Sequence, residues 1–391
     1  MQILILDRHA ASDARLDRHL QTARKAATSV SRIRVGKPGE SFPKGMRKRV
    51  DGDITSLRPL GSSKPLLHHI LQMSSYLLPG RLYRHYRIQQ SLPKPDERTV
   101  IHVHDPELLG LARYLSRRCF SDSSIVYDRH EVFEEAGGAY GMVSLLFERI
   151  NRSSVDGVVT ISPAYIESVS QRFAEAQVSY VPNYPLRSEY DQDLVSAKIE
   201  GLDEDTEILL TYIGSLNNDY DRDVDLLLDL MEAALSQNQR VVCSVGGNLN
   251  SRTLRERMEN LSIEFPGRFR YLGYVDRNTT LELTEKSHIG FFLLRPESNY
   301  WVKSSPNKFF EYLVTGNIAV VRADIDADIP PGTAMLFSRV EPPELIVSAV
   351  LELLDDIDRM KSMMASAQRL GNQFLYEQVE DNYLRLYAEL E

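Results

Sequence analysis

Twice along this chain, short β-rich runs alternate with helix-forming stretches. The first series is "ILIL", "TVIHVH", "SIVYD" and "GVVTIS", with patterns such as "PELLGLARYLSRR" and "SPAYIESVSQRFAEA" between them. The second is "EILLTYIG", "RVVCSVGG", "RFRYLGYV", "HIGFFLL" and "NIAVV", interleaved with "DVDLLLDLMEAALSQ" and "NKFFEYLVTG". Strands separated by helices form parallel sheets through right-handed crossovers. Two such series predict an α/β protein of two doubly wound, Rossmann-like domains, with ligands held at the carboxyl ends of the strands. "VSYVPNYP" closes the first series, and residues 186–206 read as an acidic, turn-rich connector. The pattern places domains at 1–190 and 191–372, and a C-terminal helix over 373–391 that returns towards the first domain. Neither "YIGSLNND" nor "SVGGNLNS" forms a G-x-G-x-x-G fingerprint, which argues against a nicotinamide-dependent dehydrogenase.

The stretch "VKSSPNKFFEYLVTG", residues 302–316, carries the chemistry most clearly. Ser304 or Ser305 suits an N-cap, and Pro306 suits a first helical turn. Gly316 is placed to end the helix, and "NIAVV" then reads as a buried strand. The helix start offers free N–H groups and a positive dipole end, to which Lys308 adds a full charge; proteins hold phosphates this way. Glu311 follows Lys308 by three residues and shares its helix face. A carboxylate there suits vicinal hydroxyls such as a ribose diol. A capped helix with a solvated Lys–Glu pair is the plainer reading of the same residues.

Composition removes several classes. With 42% hydrophobic and 26% charged residues over 391 positions, the chain can bury large cores. Cys119 and Cys243 lie far apart, give neither a disulfide framework nor metal-ligand spacing, and fit a reducing compartment. "MQILIL" is followed at once by "DRH" and reads as a first strand, too short for a signal peptide. No run approaches the length of a membrane span. The net charge of −9 hides an asymmetry: residues 1–100 hold 19 Lys/Arg against 8 Asp/Glu, and the remainder 27 against 47. A basic N-terminal quarter, +11 on an acidic body, either faces something anionic or is a solvated surface.

The ordered pieces "VIHVHDPELLG", "IVYDRHE", "DGVVTISPAYIES", "YVPNYP", "LTYIGSL", "YLGYV" and "SPNKFFEYLVTGNIAVV" resemble a GT-B glycosyltransferase. They are most similar to the retaining enzymes of glycosyltransferase family 4 and run in that family's order over roughly residues 100–325. The resemblance implies two Rossmann-like domains facing across a cleft, the C-terminal one holding a nucleotide-sugar (UDP- or GDP-linked) and the N-terminal one the acceptor. Glu311 then accepts from the ribose hydroxyls, and the turn Ser304, Ser305, Pro306, Asn307 meets the diphosphate. Lys308 neutralises phosphate charge. Family members carry an Arg and a Lys after the glycine of the first C-domain strand. Here Gly214 is followed by Ser215 at the Arg position, and Arg222 sits near the Lys position, unless it only pairs with Asp221 or Asp223. The loop Gly273, Tyr274, Val275 offers backbone groups to the base. One departure concerns the sugar: the family's second glutamate, eight residues before Glu311, is Lys303 here, and the nearest acid is Glu297.

His130 in "YDRHE" matches the family's catalytic-side histidine, while His104 and His102 alternate at the end of the preceding strand. Glu131 and Asp105 could orient these rings or touch acceptor, and Asp128 could cap the following loop. No Asp/Glu/Cys spacing supports a metal site beside the histidines; with the resemblance, this implies a metal-independent reaction with no further cofactor. Breaking the anomeric bond builds negative charge on the leaving phosphate, which preorganised N–H groups, Lys308 and Arg222 stabilise. Retention of anomeric configuration follows from the resemblance, and no carboxylate pair for a glycosidase-type double displacement stands out. The expectation is a hexosyl- or related glycosyltransferase of polysaccharide biosynthesis, cytoplasmic or peripheral at the inner face of the membrane. Two other classes share the fold: nucleotide-sugar epimerases and catalytically weak partner subunits.

Residues 62–94 mix apolar clusters with Arg81, Arg84, His85 and Arg87. They read as an interfacial element for anionic lipid or a lipid-linked acceptor, or as a helix pair with a basic outer face. No recognisable nucleic-acid module accompanies these charges.

Overall fold

The computed structural model describes all residues except 10–12, 37–47, 59–75, 96, 135–137, 217–220 and 299–304. Lys303, Ser304 and residues 62–75 of the 62–94 element therefore lie outside the described residues. The chain divides into two compact units: Met1–Pro182 with Val379–Glu391, and Asn183–Gln378. The first thus ends at Pro182 where the sequence placed 190, and the returning C-terminal segment that joins it begins at Val379.

The first unit is built on an eight-stranded sheet. Its strands are β1 (Gln2–Asp7), β2 (Ser29–Val35), β3 (Lys48–Asp51), β4 (Ile54–Leu57), β5 (Thr99–Val103), β6 (Ser123–Arg129), β7 (Gly157–Thr160) and β8 (Gln177–Tyr180). They lie in the order β3-β4-β2-β1-β5-β6-β7-β8, parallel but for the β3–β4 pair. Every residue of β1, β5 and β7 is buried, as expected of strands covered on both faces. The helix Ala14–Ala26 is capped by Asp13, whose side chain accepts from the Leu16 amide, and it packs against the C-terminal helix Glu380–Glu389. β2, β3 and β4 escaped the sequence reading because "SVSRIRV" and "KRVD" place arginines and lysine within the strand. Arg32 is tolerated there because it donates twice to Asp7, at 2.7 and 2.9 Å.

The second unit holds six parallel strands: β9 (Ile208–Ile213), β10 (Val241–Gly246), β11 (Phe269–Tyr271), β12 (Ile289–Leu293), β13 (Ile318–Arg322) and β14 (Met335–Phe337). Their order, β11-β10-β9-β12-β13-β14, reverses direction between β9 and β12. Those two strands share only the pairs Ile289↔Leu210 and Gly290↔Thr211, then diverge. A crevice opens at the switch point, where this topology places ligands. Tyr312 packs so tightly on Gly290 that any β-carbon there would lie 2.4 Å from its ring. The core combines β9, β10, β12 and β13 with the buried stripe of the Val224–Gln237 helix, including Leu227, Leu230, Met231 and Ala234.

The connector expected over 186–206 contains a helix, Gln192–Glu200. Asp191 caps it by accepting from the Asp193 and Leu194 amides, and Val195 and Ile199, four apart, bury the inner face. The acidic composition hid this short amphipathic pattern. The Asn307–Val314 helix ends before Gly316 (φ +64°), as expected. Its N-cap, however, is Pro306, with no side-chain cap. The Pro306 carbonyl accepts from Phe309 at 3.1 Å, and the Ser305 hydroxyl is buried without a partner.

Candidate functional site

In the second unit, a cavity of about 110 Å³ lies at the switch point, lined by Thr211, Ile213, Arg277, Thr280, Asn307, Lys308 and Glu311 among others. Lys308 and Glu311 share it because they are three apart on one helix. Lys308 forms no hydrogen bond or ion pair with any described residue. Burial, aided by the positive charge of Arg222, pushes its ammonium down to about 8. Its head lies over the turn after β9: a side chain at Gly214 would meet Lys308 Cε at 2.9 Å and Nζ at 3.0 Å. The amides of Asn307 and Lys308 have no acceptor among the described residues. An unneutralised lysine, two open amides and the unpartnered Ser305 hydroxyl together make a cradle suited to an anion.

Glu311 is buried, and Arg277 Nη1 donates to its Oε1 at 2.7 Å. Arg277 also donates to Glu189 at 3.0 Å. Burial opposes the Arg277 charge, but the two glutamates hold its pKa above the ordinary value. Sequence reasoning missed Arg277; the signal was an arginine opening the helix directly after "GYVD". Arg222 is not free: it pairs with Asp221 at 3.1 Å and stacks over Phe292 at 4.8 Å. The pairing alternative for Arg222 is therefore realised with Asp221, while Asp223 goes to Arg322 at 3.0 Å. Ser215 lends its carbonyl to the Tyr212 hydroxyl at 2.7 Å. Gly273 has φ +67° and its carbonyl accepts from Gly247 at 2.7 Å, which ties the loop after β11 to the loop after β10. Tyr274 beside it is exposed and Val275 half-buried.

In the first unit, a cavity of about 230 Å³ gathers Arg8, His9, His104, Asp105, His130 and Glu131 at the carboxyl ends of β1, β5 and β6. His130 Nδ1 contacts the Asp128 carbonyl at 3.1 Å, which leaves Nε2 for another partner. Burial lowers the His130 pKa. Asp128 does not cap a loop. It is wholly buried and accepts from Arg15 at 2.7 and 3.0 Å and from the Tyr383 hydroxyl at 2.7 Å. Burial opposes its ionisation, but Arg15 and His130 hold it well below the usual carboxylate range. Asp105 accepts the Arg8 amide at 2.7 Å, and burial pushes its carboxyl up to about 7. Glu131 accepts from Tyr140 at 2.9 Å. Arg81 and Arg84 do not line this cavity; they lie on the helix Pro79–His85, and Arg84 bonds its own helix at Gly80. Arg87 falls beyond that helix, at φ +50°.

Behind His130 lies a buried polar chain that no spacing rule reveals. His104 Nε2 meets His19 Nδ1 at 2.8 Å, His19 Nε2 meets Tyr387 at 2.5 Å, and Tyr387 meets His102 at 2.8 Å. Burial drives His19, His102 and His104 towards their neutral forms. Nitrogens of His9, His104 and His130 fall within 4.8 Å of one another. Yet His9, despite burial, is raised to about 9 by Asp13 at 3.0 Å and by Asp105, so it holds a proton. His104 spends Nε2 on His19, while His104 Nδ1 and His9 Nε2 are buried without a hydrogen-bond partner.

No protein-family model matches the chain, and no curated protein sequence matches it. Solved structures do. Sucrose-phosphate synthase from Thermosynechococcus elongatus superposes with TM-score 0.67 at 15% identity, covering 100% of this chain and 98% of that one. Anabaena HepE in complex with UDP and glucose gives 0.66 at 13% identity, with 100% of both chains covered. The UDP-forming α,α-trehalose-phosphate synthase from Burkholderia vietnamiensis gives 0.64 at 14%, covering 100% and 99%. The fold is GT-B. At these identities the likeness establishes the fold, and the chemistry has to come from the residues of each unit.

Proposed function

We propose that the chain is a glycosyltransferase that moves a sugar from a UDP- or GDP-linked donor to a glycan, lipid-linked or other acceptor, with retention and without a bound metal. One observation carries this reading: Lys308, without a partner among the described residues and held down to about 8, stands beside buried Glu311 at a helix start whose first amides meet no described acceptor. A diphosphate supplies the missing counter-charge, and a ribose diol supplies donors for the Glu311 oxygen that Arg277 leaves free. The neighbours support the reading, since one of them was solved with UDP and glucose. The family 4 resemblance, carried by "SPNKFFEYLVTG", supports retention.

The residues have distinct tasks in this account. Lys308 and the helix-start amides stabilise charge that grows on the departing diphosphate, with Arg222 adding a longer-range positive field. Arg277 orients Glu311 through its hydrogen bond to Oε1. His130, neutral and fixed through Nδ1, is assigned to the transferring sugar, and Asp128 favours any positive charge that develops on its ring. Asp105 and Glu131 are assigned to the acceptor side. A thermal-shift panel of nucleoside diphosphates and their sugars tests the donor, because a ligand that binds only the folded state raises its stability by mass action. Stabilisation by a uridine or guanosine diphosphate is expected; indifference to the whole panel removes the reading.

A further inference from the structure

The helix Gly138–Asn151 buries Phe147 and Glu148 on one side, yet turns a second apolar stripe outwards. Met142, Leu146 and Ile150, each four residues apart, are 74%, 47% and 46% exposed. A solvated helix face would carry polar residues at those positions. Leu77 and Leu78, 49% and 46% exposed, sit just before the Pro79–His85 helix. A cavity of about 280 Å³ connects Leu77 with Ile150, and its wall includes Arg113, Arg117 and Arg118 of the helix Leu109–Cys119.

The charge around this stripe is of one sign. The three helices and the turn Arg152–Ser154 carry Arg81, Arg84, Arg113, Arg117, Arg118, Arg149 and Arg152. None of them forms an ion pair with a described residue. Arg113 and Arg84 make only backbone contacts, to Ile150 at 3.5 Å and Gly80 at 3.2 Å. The single acid of these elements, Glu148, is buried and taken by Arg129 at 2.7 Å. Some arginines elsewhere are doubly paired: Arg257 reaches both Asp229 and Glu232, and Arg277 both Glu189 and Glu311. Unpaired arginines crowded on one face repel one another. Large exposed apolar side chains among them mark a surface that meets both hydrocarbon and anions.

We propose that this face docks the protein on an anionic membrane surface. The stripe Met142, Leu146, Ile150 enters the headgroup region, and the arginine-walled cavity takes a lipid phosphate. Nucleic acid would match the charge but leave the aliphatic stripe unused. A second copy docked face to face would set arginines against arginines. The proposal does not rest on glycosyl transfer. It also extends the contact from the described part of the 62–94 element onto the helices Leu109–Cys119 and Gly138–Asn151.

The test is co-sedimentation of the full chain with vesicles of phosphatidylcholine, with and without phosphatidylglycerol, at low and high salt. An arginine near an anionic surface is worth about fivefold in partitioning, or about 1 kcal/mol. The wild type should pellet with the phosphatidylglycerol vesicles and be released by salt. Arg117→Ala/Arg118→Ala should weaken this by about 25-fold, and Met142→Ser/Leu146→Ser/Ile150→Ser should weaken it by tenfold or more, on the order of three buried side chains lost. Arg252→Ala, on the exposed surface of the second unit, should change nothing. All these positions are solvated, so unchanged circular dichroism confirms that the variants fold. Wild type that ignores phosphatidylglycerol overturns the proposal, as does vesicle binding that survives both multiple variants. Self-association in sedimentation velocity that the serine variant abolishes would overturn it in favour of a second copy. Duplex binding without vesicle binding would overturn it in favour of nucleic acid.

Discussion

Replacing Lys308 with methionine should weaken nucleoside diphosphate binding and at the same time stabilise the free protein. The side chain is partly buried, has no partner among the described residues, and is pushed down to about 8 from the usual 10.5. That displacement caps the cost of holding the charge at about 3 kcal/mol. Screening by solvent at the open crevice brings the expected figure to about 1–2 kcal/mol. The sign follows from the direction of the shift. A lysine whose folded pKa is lowered destabilises the fold while charged, at every pH below about 8, and the penalty fades as pH rises from 8 towards 10.5. At neutral pH the methionine variant should therefore melt a few degrees higher. Bound diphosphate reverses the balance, because a charge-assisted hydrogen bond is worth about 1.5–3 kcal/mol. Titration calorimetry should show a loss of roughly 10- to 150-fold in affinity for the nucleoside diphosphate that stabilises the wild type. Wild-type affinity should also decline above pH 8, where the free lysine gives up its proton. A variant that melts lower and binds nucleotide normally would make Lys308 a structural residue and refute the reasoning.

Other consequences are independent of that one. Glu311→Ala should lower nucleotide affinity by about 1–3 kcal/mol in calorimetry without unfolding the protein, and unchanged affinity would remove Glu311 from the site. His130→Ala should cut turnover by about a hundredfold while leaving nucleoside diphosphate affinity intact, since that loss belongs to the transition state; equal losses in binding and folding stability would make it a core histidine. Tyr383→Phe removes one donor from ionised Asp128 and should cost about 1.5–3 kcal/mol in urea unfolding; a neutral result would show that Arg15 alone suffices. His9, raised to about 9 in the folded chain, contributes stability that is complete below pH 6.5 and lost as pH rises through 9. His9→Gln should flatten the wild-type stability profile across that window, and a profile with the same slope in both proteins would place its proton elsewhere.

The sequence exposed what alternation and local chemistry can expose. Strands such as "TVIHV" and "IGFFL" are continuous apolar runs because helices cover both faces, and they were legible for that reason. Lys308 and Glu311 were legible because their three-residue spacing alone sets them on one face. The missed elements share a cause, which is that tertiary partners decide them. Arg32 can sit in β2 only because Asp7 of the neighbouring β1, twenty-five residues away in sequence, accepts from its guanidinium. The Gln192–Glu200 helix shows an acidic surface, and its Val195 and Ile199 become informative only once they are seen buried. Arg277 reaches Glu311 across thirty-four residues, and Tyr383 reaches Asp128 across 255, distances at which no local pattern speaks. The cap expected from Ser305 failed because Pro306 takes the N-cap position itself, and the serine hydroxyl is left free for another partner.

The account is tested most directly by following release of nucleoside diphosphate from the nucleotide-sugar that most raises the melting temperature. The assay runs with a chelator present and with wild type, Glu311→Ala and His130→Ala side by side. It predicts release by the wild type, accelerated by acceptor sugars and glycolipids and accompanied by a glycosylated product in mass spectra. Release should fall in Glu311→Ala through donor affinity and in His130→Ala through turnover. A folded wild type that binds no nucleoside diphosphate and releases none from any uridine or guanosine diphosphate sugar would contradict it.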